Sequence, residues 1–398
     1  MVSEHVDHAF IGCATDHGFV GPTCAMLSSL DDNGELEGAT LIVADFGLDR
    51  DDRGIIKAAA GRLAEHLEFL PLNRTSREIV AVPPYQFPFP LIGRLVIPRE
   101  IKESNARLLM LDSDMIVNRS LKPLFEVNMR GYPVGAVHDS IASREHYGRS
   151  RNDHYFNAGM MLIDVDRFNA EDIGGEAMRV LAAFDPVPMW LDQDALNQVC
   201  RGKWLGLDRR WNFFHAGDQR AFDLQDYQRA DIIHYSGEKP WNGHHHPARS
   251  LWDSHARRAS EKALPDSRHM DARVNRVFAA ACYEVLLGRQ AETVNILDKR
   301  DHLTCADFTK EVLASTEFDT LVMKPLIDGT AFQPGRFSGT PSLNQRFFAA
   351  DRLPIYRHSK RAIEGAKSWR HLLAALLADR HFMSRAGRNT CNIEVEQA

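Results

Sequence analysis

A short apolar run that ends in two carboxylates constrains this sequence more than any other feature. Residues 108–111 are all apolar, and Asp112 and Asp114 follow with one residue between them. A continuous apolar run of this length is typical of a strand buried on both faces. Open α/β sheets bind their ligands beyond the carboxyl ends of such strands. The run therefore predicts that both aspartates lie at the ligand-binding edge of an α/β sheet.

The two aspartates allow two interpretations. Carboxylates two positions apart on an extended segment repel each other unless a cation lies between them, and a hard divalent ion that also binds a diphosphate would meet this need. The alternative is a strand end followed by an Asx turn, in which the side chains accept hydrogen bonds from the backbone. The rest of the chain favours the metal site.

Strand and helix patterns alternate along the first two thirds of the chain. Apolar runs predict strands at residues 8–14, 39–44, 108–111, 132–137, 160–164 and 230–234. Helical patterns occur near residues 21–30, 51–66, 91–102 and 176–184. This alternation favours a parallel sheet with right-handed crossovers.

The last third of the chain has a different pattern. Beyond about Lys262 the strand signals stop and apolar residues recur at helical spacing. Residues 304–318 also align without gaps on residues 368–382, and each segment begins with a hydroxyl residue suited to cap a helix. At 398 residues the chain is long enough for two domains, so we expect an α/β domain over 1–260 and a helical domain over 261–398, with two related helical repeats as an open alternative.

Composition excludes some function classes. The formal net charge of −6 argues against a nucleic-acid partner. Six cysteines without a Cys-x-x-Cys pair indicate reduced thiols rather than a disulfide framework or a zinc site. The first residues contain acids rather than a signal-peptide core, and no apolar stretch is long enough to cross a bilayer. We therefore expect a cytoplasmic protein, with peripheral membrane contact near Arg249, Arg257 and Arg258 as an alternative to a solvated basic face.

Other polar groups lie at the predicted element ends. Asn157 comes directly before a buried strand, and Asp192, Gln193 and Asp194 lie where a loop meets a helix. Either aspartate of that second group could instead be a helix N-cap. His234 ends a further strand.

The motifs together resemble the retaining glycosyltransferases of family 8, which include bacterial lipopolysaccharide galactosyltransferases and glucosyltransferases. The resemblance covers roughly residues 8–255. It rests on Ala14-Thr15-Asp16, Arg94, Leu111-Asp112-Ser113-Asp114, Phe156-Asn157-Ala158-Gly159, Asp192-Gln193-Asp194, Arg210-Trp211-Asn212, and His234-Tyr235-Ser236-Gly237 with Lys239-Pro240-Trp241. It implies a single Rossmann-like domain of the GT-A type, with a mostly parallel mixed sheet flanked by helices, followed by an all-α domain. Parts of that last segment also resemble a small helical module of unknown function.

The resemblance implies a UDP-hexose donor and a set of donor contacts. Asp16 would recognise the uracil base, and Phe19 would stack on it. The sugar pocket would be lined by Arg94, Asn157, Asp192 and Gln193, and the remaining donor-binding residues would be Asp112, Ser113, Gly237 and Lys239.

The resemblance also implies a manganese ion held by Asp112, Asp114 and His234. An imidazole ligand favours manganese over magnesium. Lys239 and the backbone around Gly237 would receive the diphosphate charge as the sugar leaves.

Two mechanisms for retention of the anomeric configuration stay open. In a front-face reaction the acceptor attacks from the side that the phosphate leaves, and Gln193 supports the developing oxocarbenium ion. In a double displacement Asp192 or Gln193 would be the nucleophile, although an amide is a poor one. The residues expected to act in catalysis are thus Gln193, Asp192 and Lys239.

The expected activity is transfer of galactose or glucose to a saccharide or glycolipid acceptor in bacterial cell-envelope polysaccharide synthesis. A nucleotide-sugar-binding scaffold without turnover is one alternative. A self-glycosylating primer is another, with Tyr147 or Tyr155 as guesses for the acceptor.

Two positions depart from the family pattern. Gly18 stands where many relatives carry an asparagine, and Glu238 places an acid beside the predicted diphosphate site. Residues 138–152 are polar and aperiodic, as in a lid or a disordered loop. We interpret His244, His245 and His246 as a surface loop rather than a second metal site, because no carboxylate or cysteine lies at ligand spacing.

Overall fold

The computed structural model describes residues 6–36, 38–72, 89–139, 155–183, 190–214, 222–237, 239–242, 246–263, 273–287, 300, 302–318 and 320–321. The chain divides into two compact units, Met1–Ala256 and Arg257–Ala398.

The strands in the described part of the chain all belong to the first unit. They are β1 (His8–Thr15), β2 (Thr40–Asp45), β3 (Leu67–Pro71), β4 (Ala106–Leu111), β5 (Met115–Val117), β6 (Val134–His138), β7 (Phe156–Asp164), β8 (Trp204–Leu207), β9 (Phe213–Phe214) and β10 (Ile232–His234). Seven of them form one sheet in the order β3-β2-β1-β4-β7-β6-β8.

The helices are α1 (Val20–Asn33), α2 (Arg50–Ala59), α3 (Gly93–Glu100), α4 (Lys122–Phe125), α5 (Val165–Ala170), α6 (Ile173–Ala183), α7 (Leu191–Val199), α8 (Leu224–Arg229), α9 (Arg249–Ala263), α10 (Arg276–Cys282), α11 (Cys305–Ala314) and α12 (Thr316–Phe318). None of the described helices is both long and apolar enough to cross a bilayer. The predicted helix over 51–66 is shorter in the structure, because α2 ends at Ala59 and a 3-10 helix follows over Gly61–His66.

The large sheet is mostly parallel, as predicted. β1 pairs parallel with β2 and β4, β2 pairs parallel with β3, and β6 pairs parallel with β8. β7 is antiparallel to both of its neighbours, β4 and β6. The start of β7 therefore lies at the same edge as the carboxyl end of β4.

The apolar run before Asp112 forms the buried centre of this sheet. All six residues of β4 are buried. Apolar residues of α3 and α6 form one core cluster with the sheet, which includes Leu95, Ile97, Leu108 and Met178. Burying a large aliphatic side chain stabilises the fold by roughly 1.5–3 kcal/mol. This core fixes the strand end from which Asp112 follows.

A second, three-stranded sheet has the order β5-β10-β9. β10 is antiparallel to β5, and this register places His234 opposite Met115. The Tyr235 amide also donates to the Asp114 carbonyl at 2.9 Å. The small sheet thus brings His234 beside the paired aspartates, 120 residues away in sequence.

The described elements of the second unit are helical. α10 begins after Asn275, whose side chain accepts from the Phe278 amide, and a π-helix follows over Tyr283–Leu287. α11 begins after Thr304, whose side chain accepts from the Asp307 amide, and Phe318 is fully buried. The second copy of the predicted repeat, residues 368–382, lies outside the described residues.

The cysteines that the structure describes are Cys13, Cys24, Cys200, Cys282 and Cys305; all five are buried, and none of these five is in a disulfide bond. Cys391 lies outside the described residues.

Candidate active site

A cavity of about 400 Å³ opens at the carboxyl ends of β1 and β4 and at the start of β7. Its lining includes most of the predicted site residues, namely Asp16, Phe19, Arg94, Asp112, Ser113, Asp114, Asn157, Asp192, Gln193, His234 and Lys239. It also includes residues for which no role was predicted, such as Asp139, Trp190 and Ser236. The sheet topology therefore gathers side chains from distant parts of the sequence at one edge.

Asp112, Asp114 and His234 form one cluster in this cavity. One ligand atom from each residue lies within 4.8 Å of the other two. His234 Nε2 is 3.4 Å from Asp114 Oδ1 and 4.0 Å from Asp112 Oδ2. Two carboxylate oxygens and an imidazole nitrogen are a donor set suited to a divalent cation.

The two carboxylate oxygens of Asp114 have different surroundings. Its Oδ1 atom is buried and has no hydrogen-bond partner among the described residues. Its Oδ2 atom accepts a hydrogen bond from Lys239 Nζ. Burial alone would raise the pKa of this carboxyl, but the positive charges of His234 in its protonated form and of Lys239 outweigh that effect and hold the pKa well below its ordinary range. A buried anionic oxygen without a partner fits a metal ligand.

Arg94 is a buried cation between two acids. Its guanidinium donates to Asp112 Oδ1 and to the Ala158 carbonyl, and its Nε atom is 3.0 Å from Asp192 Oδ2. Burial raises the pKa of Asp192 to about 6, although Arg94 acts in the opposite direction. Burial also raises the pKa of Asp112. Arg94 compensates part of the negative charge that the cavity concentrates.

A network of amides connects the start of β7 to His234. Asn157 Oδ1 accepts from the Gly159 amide at 3.0 Å and from Asn212 Nδ2 at 2.9 Å. The Asn212 Oδ1 atom lies 3.0 Å from His234 Nδ1. Asn157 Nδ2 donates to Asp139 Oδ2 at 3.3 Å. Asn157 thus makes contacts within the protein that a purely sugar-binding side chain would not need.

Gln193 is held at the same strand end. Its Oε1 atom accepts from the Ala158 amide at 2.9 Å, and its Nε2 atom donates to Asp139 Oδ2 at 3.4 Å. The backbone amide of Ala158 fixes which end of the Gln193 side chain faces the strand. Gln193 is therefore oriented in the cavity wall.

The alternative that Asp192 or Asp194 is a helix N-cap is wrong for both residues. The N-cap of α7 is Trp190, which makes no side-chain cap hydrogen bond. Asp194 Oδ2 accepts from the Trp190 amide at 3.0 Å, while its Oδ1 atom accepts from the Tyr155 hydroxyl at 2.8 Å. Asp192 faces Arg94 instead. Leu191, directly before Asp192, has a φ of 50°, so the chain turns sharply where Asp192 enters the cavity.

The predicted base-binding residues lie at the rim. Phe19 is 42% exposed, and its ring meets the edge of Trp241 with 6.3 Å between centroids. Asp16 Oδ1 accepts from the Phe19 amide at 3.1 Å, so it also caps the 3-10 helix that follows. Gly18, which departs from the family pattern, lies in that helix.

Ser113 and Gly237 have different roles in the local structure. Ser113 Oγ donates to the Ala14 carbonyl at 3.0 Å and lies 2.9 Å from Thr23 Oγ1, which connects the paired aspartates to β1 and α1. Gly237 has a φ of 85°, a conformation that favours glycine, so the chain turns between His234 and Lys239.

Asp139 and Asn212 are the residues of this network for which no role was predicted. Asp139 directly follows β6, so it fits the same pattern of an acid after a strand that singled out Asp112. Asn212 belongs to one of the quoted motifs, but nothing in its spacing indicates contact with His234. That contact arises because β9 is parallel to β10 in the small sheet.

Some predictions fall on residues outside the described part of the chain. These are the lid over most of 138–152, Tyr147, Glu238, His244 and His245. His246 is described and buried, and its ring packs between Tyr227 and Tyr235. Its Nδ1 atom accepts from the Ala248 amide at 3.1 Å, so the interpretation as a surface loop is wrong for His246, which is a core residue.

Comparisons with known proteins find a matching family model and several similar sequences. A family model described as Glycosyl transferase family 8 matches residues 11–245. Glycosyltransferase GlyB of Streptococcus pneumoniae serotype 4 is 34% identical over 159 residues, which are 37% of this chain and 37% of that protein. General stress protein A of Bacillus subtilis is 26% identical over 269 residues, which are 63% of this chain and 92% of that protein. The match with GlyB thus spans little more than a third of that relative.

The fold also matches a solved structure. A crystal structure of galactosyltransferase LgtC in complex with donor and acceptor sugar analogs has a TM-score of 0.50, with 23% identity, over 65% of this chain and 98% of that chain. At this identity the similarity shows the fold alone. It confirms the predicted GT-A type.

Proposed function

The chain belongs to glycosyltransferase family 8, and we propose that it is a retaining enzyme that transfers a hexose from a UDP-sugar to a saccharide or glycolipid acceptor. The observation that carries the proposal is the cluster of Asp112, Asp114 and His234 inside a cavity of about 400 Å³. A cavity of this size falls within the usual range for small-molecule sites. We further propose that the enzyme acts at the cytoplasmic side of the bacterial envelope.

The three residues would hold a divalent metal, for which we propose manganese in preference to magnesium. The donor set supports this choice, because imidazole ligands favour later transition metals and magnesium prefers oxygen. The unpartnered Oδ1 atom of Asp114 supplies an anionic site for the ion. When bound, the ion would neutralise charge on the diphosphate of the donor.

The bond changes can be assigned to the two substrates. The bond between the anomeric carbon and the β-phosphate oxygen breaks, and the electron pair leaves with UDP. The acceptor oxygen forms the new bond to the anomeric carbon, and its proton passes to the phosphate oxygen that has just left. Lys239 lies beside Asp114 and can stabilise the charge on the leaving diphosphate.

The surroundings of Asp192 and Gln193 favour the front-face reaction over a double displacement. Asp192 is paired with Arg94, which lowers the nucleophilicity of its carboxylate. Gln193 Oε1 already accepts from the Ala158 amide, so its dipole is fixed before substrate binds. We propose that the second lone pair of Gln193 Oε1 stabilises positive charge on the sugar electrostatically and that Gln193 forms no covalent bond.

The test is UDP release from a panel of UDP-hexoses with candidate saccharide acceptors, in the presence of Mn²⁺ or of a chelator. We expect turnover of one donor with Mn²⁺, no turnover with chelator, and no turnover by Asp114→Asn. Asp166→Asn is the matched control, because Asp166 is bonded to the Asn105 amide away from the cavity.

The outcomes separate the candidate functions. Turnover that persists in chelator and in Asp114→Asn would overturn the metal site. Binding of a UDP-hexose without turnover of any donor and acceptor pair would favour the scaffold alternative. Transfer that leaves hexose covalently attached to the protein itself would favour self-glycosylation.

A further inference from the structure

We propose that Asn212 is a positioning residue that fixes the tautomer of His234. Through Asn212 the neutral ring carries its proton on Nδ1, and the Nε2 lone pair faces Asp112 and Asp114. The inference rests on the proposed metal-dependent function, because the oriented lone pair serves to bind the ion.

A backbone amide can only donate a hydrogen bond. The Gly159 amide lies 3.0 Å from one terminal atom of the Asn157 side chain, so this atom must be the oxygen, Oδ1. The opposite atom, Nδ2, then faces the Asp139 carboxylate at 3.3 Å, which can accept. Both ends of the Asn157 amide are thereby assigned.

The assignment passes from Asn157 to Asn212. Asn157 Oδ1 is an acceptor, so the Asn212 atom 2.9 Å from it must be the donor Nδ2. The Asn212 oxygen then points at His234 Nδ1 from 3.0 Å. Because this oxygen can only accept, Nδ1 must carry a hydrogen.

The consequence appears on the other side of the ring. A neutral imidazole with its hydrogen on Nδ1 has a lone pair on Nε2. That atom lies 3.4 Å from Asp114 Oδ1 and 4.0 Å from Asp112 Oδ2. A lone pair facing two carboxylates is unfavourable until a cation lies among them, which is the arrangement that a metal site requires.

Packing keeps the ring in this orientation. A Cβ atom on Gly159 would lie 2.4 Å from His234 Cε1, so the ring lies directly against the backbone of β7. Phe214 packs edge-on against the ring, with 5.9 Å between centroids. Asn212 itself is fully buried, so water cannot replace its hydrogen bond without a structural change.

The first measurement is NMR of protein labelled with ¹⁵N in its histidine rings. The His234 signal is assigned with His234→Gln, and spectra are recorded without metal at a pH where the ring carries one proton. We expect the Nδ1–H tautomer in the wild type and a shift toward Nε2–H in Asn212→Leu. Asn212→Asp keeps an acceptor beside Nδ1 and should retain the wild-type tautomer.

The second measurement is Mn²⁺ affinity, from the EPR signal of free Mn²⁺. Asn212→Leu should weaken binding by roughly 10–100-fold, as is typical when the hydrogen-bond partner of a ligand is removed. Asn212→Asp should bind more tightly than Asn212→Leu. Asn33→Leu is the folding control, because it removes a hydrogen bond to the Val117 carbonyl outside the cavity.

An Nε2–H tautomer in the wild type would overturn the inference, as would undiminished Mn²⁺ affinity in Asn212→Leu. If the wild type binds no Mn²⁺, the metal-dependent function fails, and the NMR comparison still decides whether Asn212 sets the tautomer. If Asn212→Leu does not fold, the NMR spectra of the wild type and of Asn212→Asp still test which nitrogen of His234 carries the proton.

Discussion

Lys239 donates a hydrogen bond to Asp114 Oδ2, on the carboxylate whose Oδ1 atom faces His234 Nε2 at 3.4 Å. Lys239 also donates to the Tyr235 carbonyl at 2.9 Å. The ammonium group therefore neutralises the carboxylate that we propose as a metal ligand. A metal ion bound to Asp114 would therefore compete with Lys239 for the negative charge of this carboxylate.

Lys239→Met should separate metal binding from turnover. We expect Mn²⁺ to bind several-fold more tightly, because the competing ammonium is gone. We expect kcat to fall by roughly 10²-fold, the usual cost of removing a group that stabilises a developing anion. Titration calorimetry and UDP release give the two values. Lys203→Met, which breaks an exposed ion pair with Glu171, is the control, and weaker Mn²⁺ binding in Lys239→Met would contradict the competition.

Arg94→Met should destabilise the fold strongly. The substitution leaves the buried Asp192 and the partly exposed Asp112 without their cation, and removing one partner of a buried ion pair such as Arg94 with Asp192 costs about 3–5 kcal/mol. The free energy of urea unfolding measures this cost. Arg94→Met combined with Asp192→Asn should cost less than the sum of the two single variants. Arg179→Met, which breaks exposed pairs with Asp172 and Glu176, is the control and should leave the free energy of unfolding nearly unchanged.

Asp192 should make the metal-free fold less stable as pH rises from about 4 to about 6. Its pKa is raised by burial to about 6 in the fold, whereas an aspartate of an unfolded chain titrates near about 4. Between these values the folded state binds the extra proton, so the free energy of unfolding decreases with rising pH, by up to roughly 3 kcal/mol. Urea unfolding in chelator at several pH values measures the slope. The slope should flatten in Asp192→Asn, and an unchanged slope would exclude this residue as its source.

Gly159→Ala should damage the metal site without adding polarity. The new Cβ atom would meet His234 Cε1 at 2.4 Å, so the ring must shift from its present position beside the paired aspartates. We expect Mn²⁺ affinity to fall at least about 10-fold. Gly206→Ala on β8 is the matched control, because its nearest neighbour would be Trp204 at 3.9 Å. Equal Mn²⁺ affinities in the two variants would show that His234 does not depend on this close approach.

The sequence predicts the parts of this site that depend on local pattern. The apolar run before Asp112 and the polar residues after β1 and β10 follow from strand ends, and the observed sheet places them as expected. The antiparallel direction of β7 could not be predicted, because an apolar strand has the same pattern in either direction. The relation of Asn212 to His234 depends on the pairing of β9 with β10, which is set by tertiary structure. Asp192 and Asp194 show the same limit, since only the turn at Leu191 decides which of them faces the cavity.

The reversed strand β7 has a further consequence for how such a chain can diversify. Because β7 starts where its neighbours end, the chain leaves β6 at Asp139 and returns at Tyr155 on the same edge of the sheet. The Asp139 amide donates a hydrogen bond to the Tyr155 carbonyl at 2.8 Å, which holds these two positions of the chain together. Each doubling of a loop costs only about 0.6 kcal/mol once its ends are held together. Evolution can therefore lengthen or rewrite the sequence between Asp139 and Tyr155 while the sheet stays as it is.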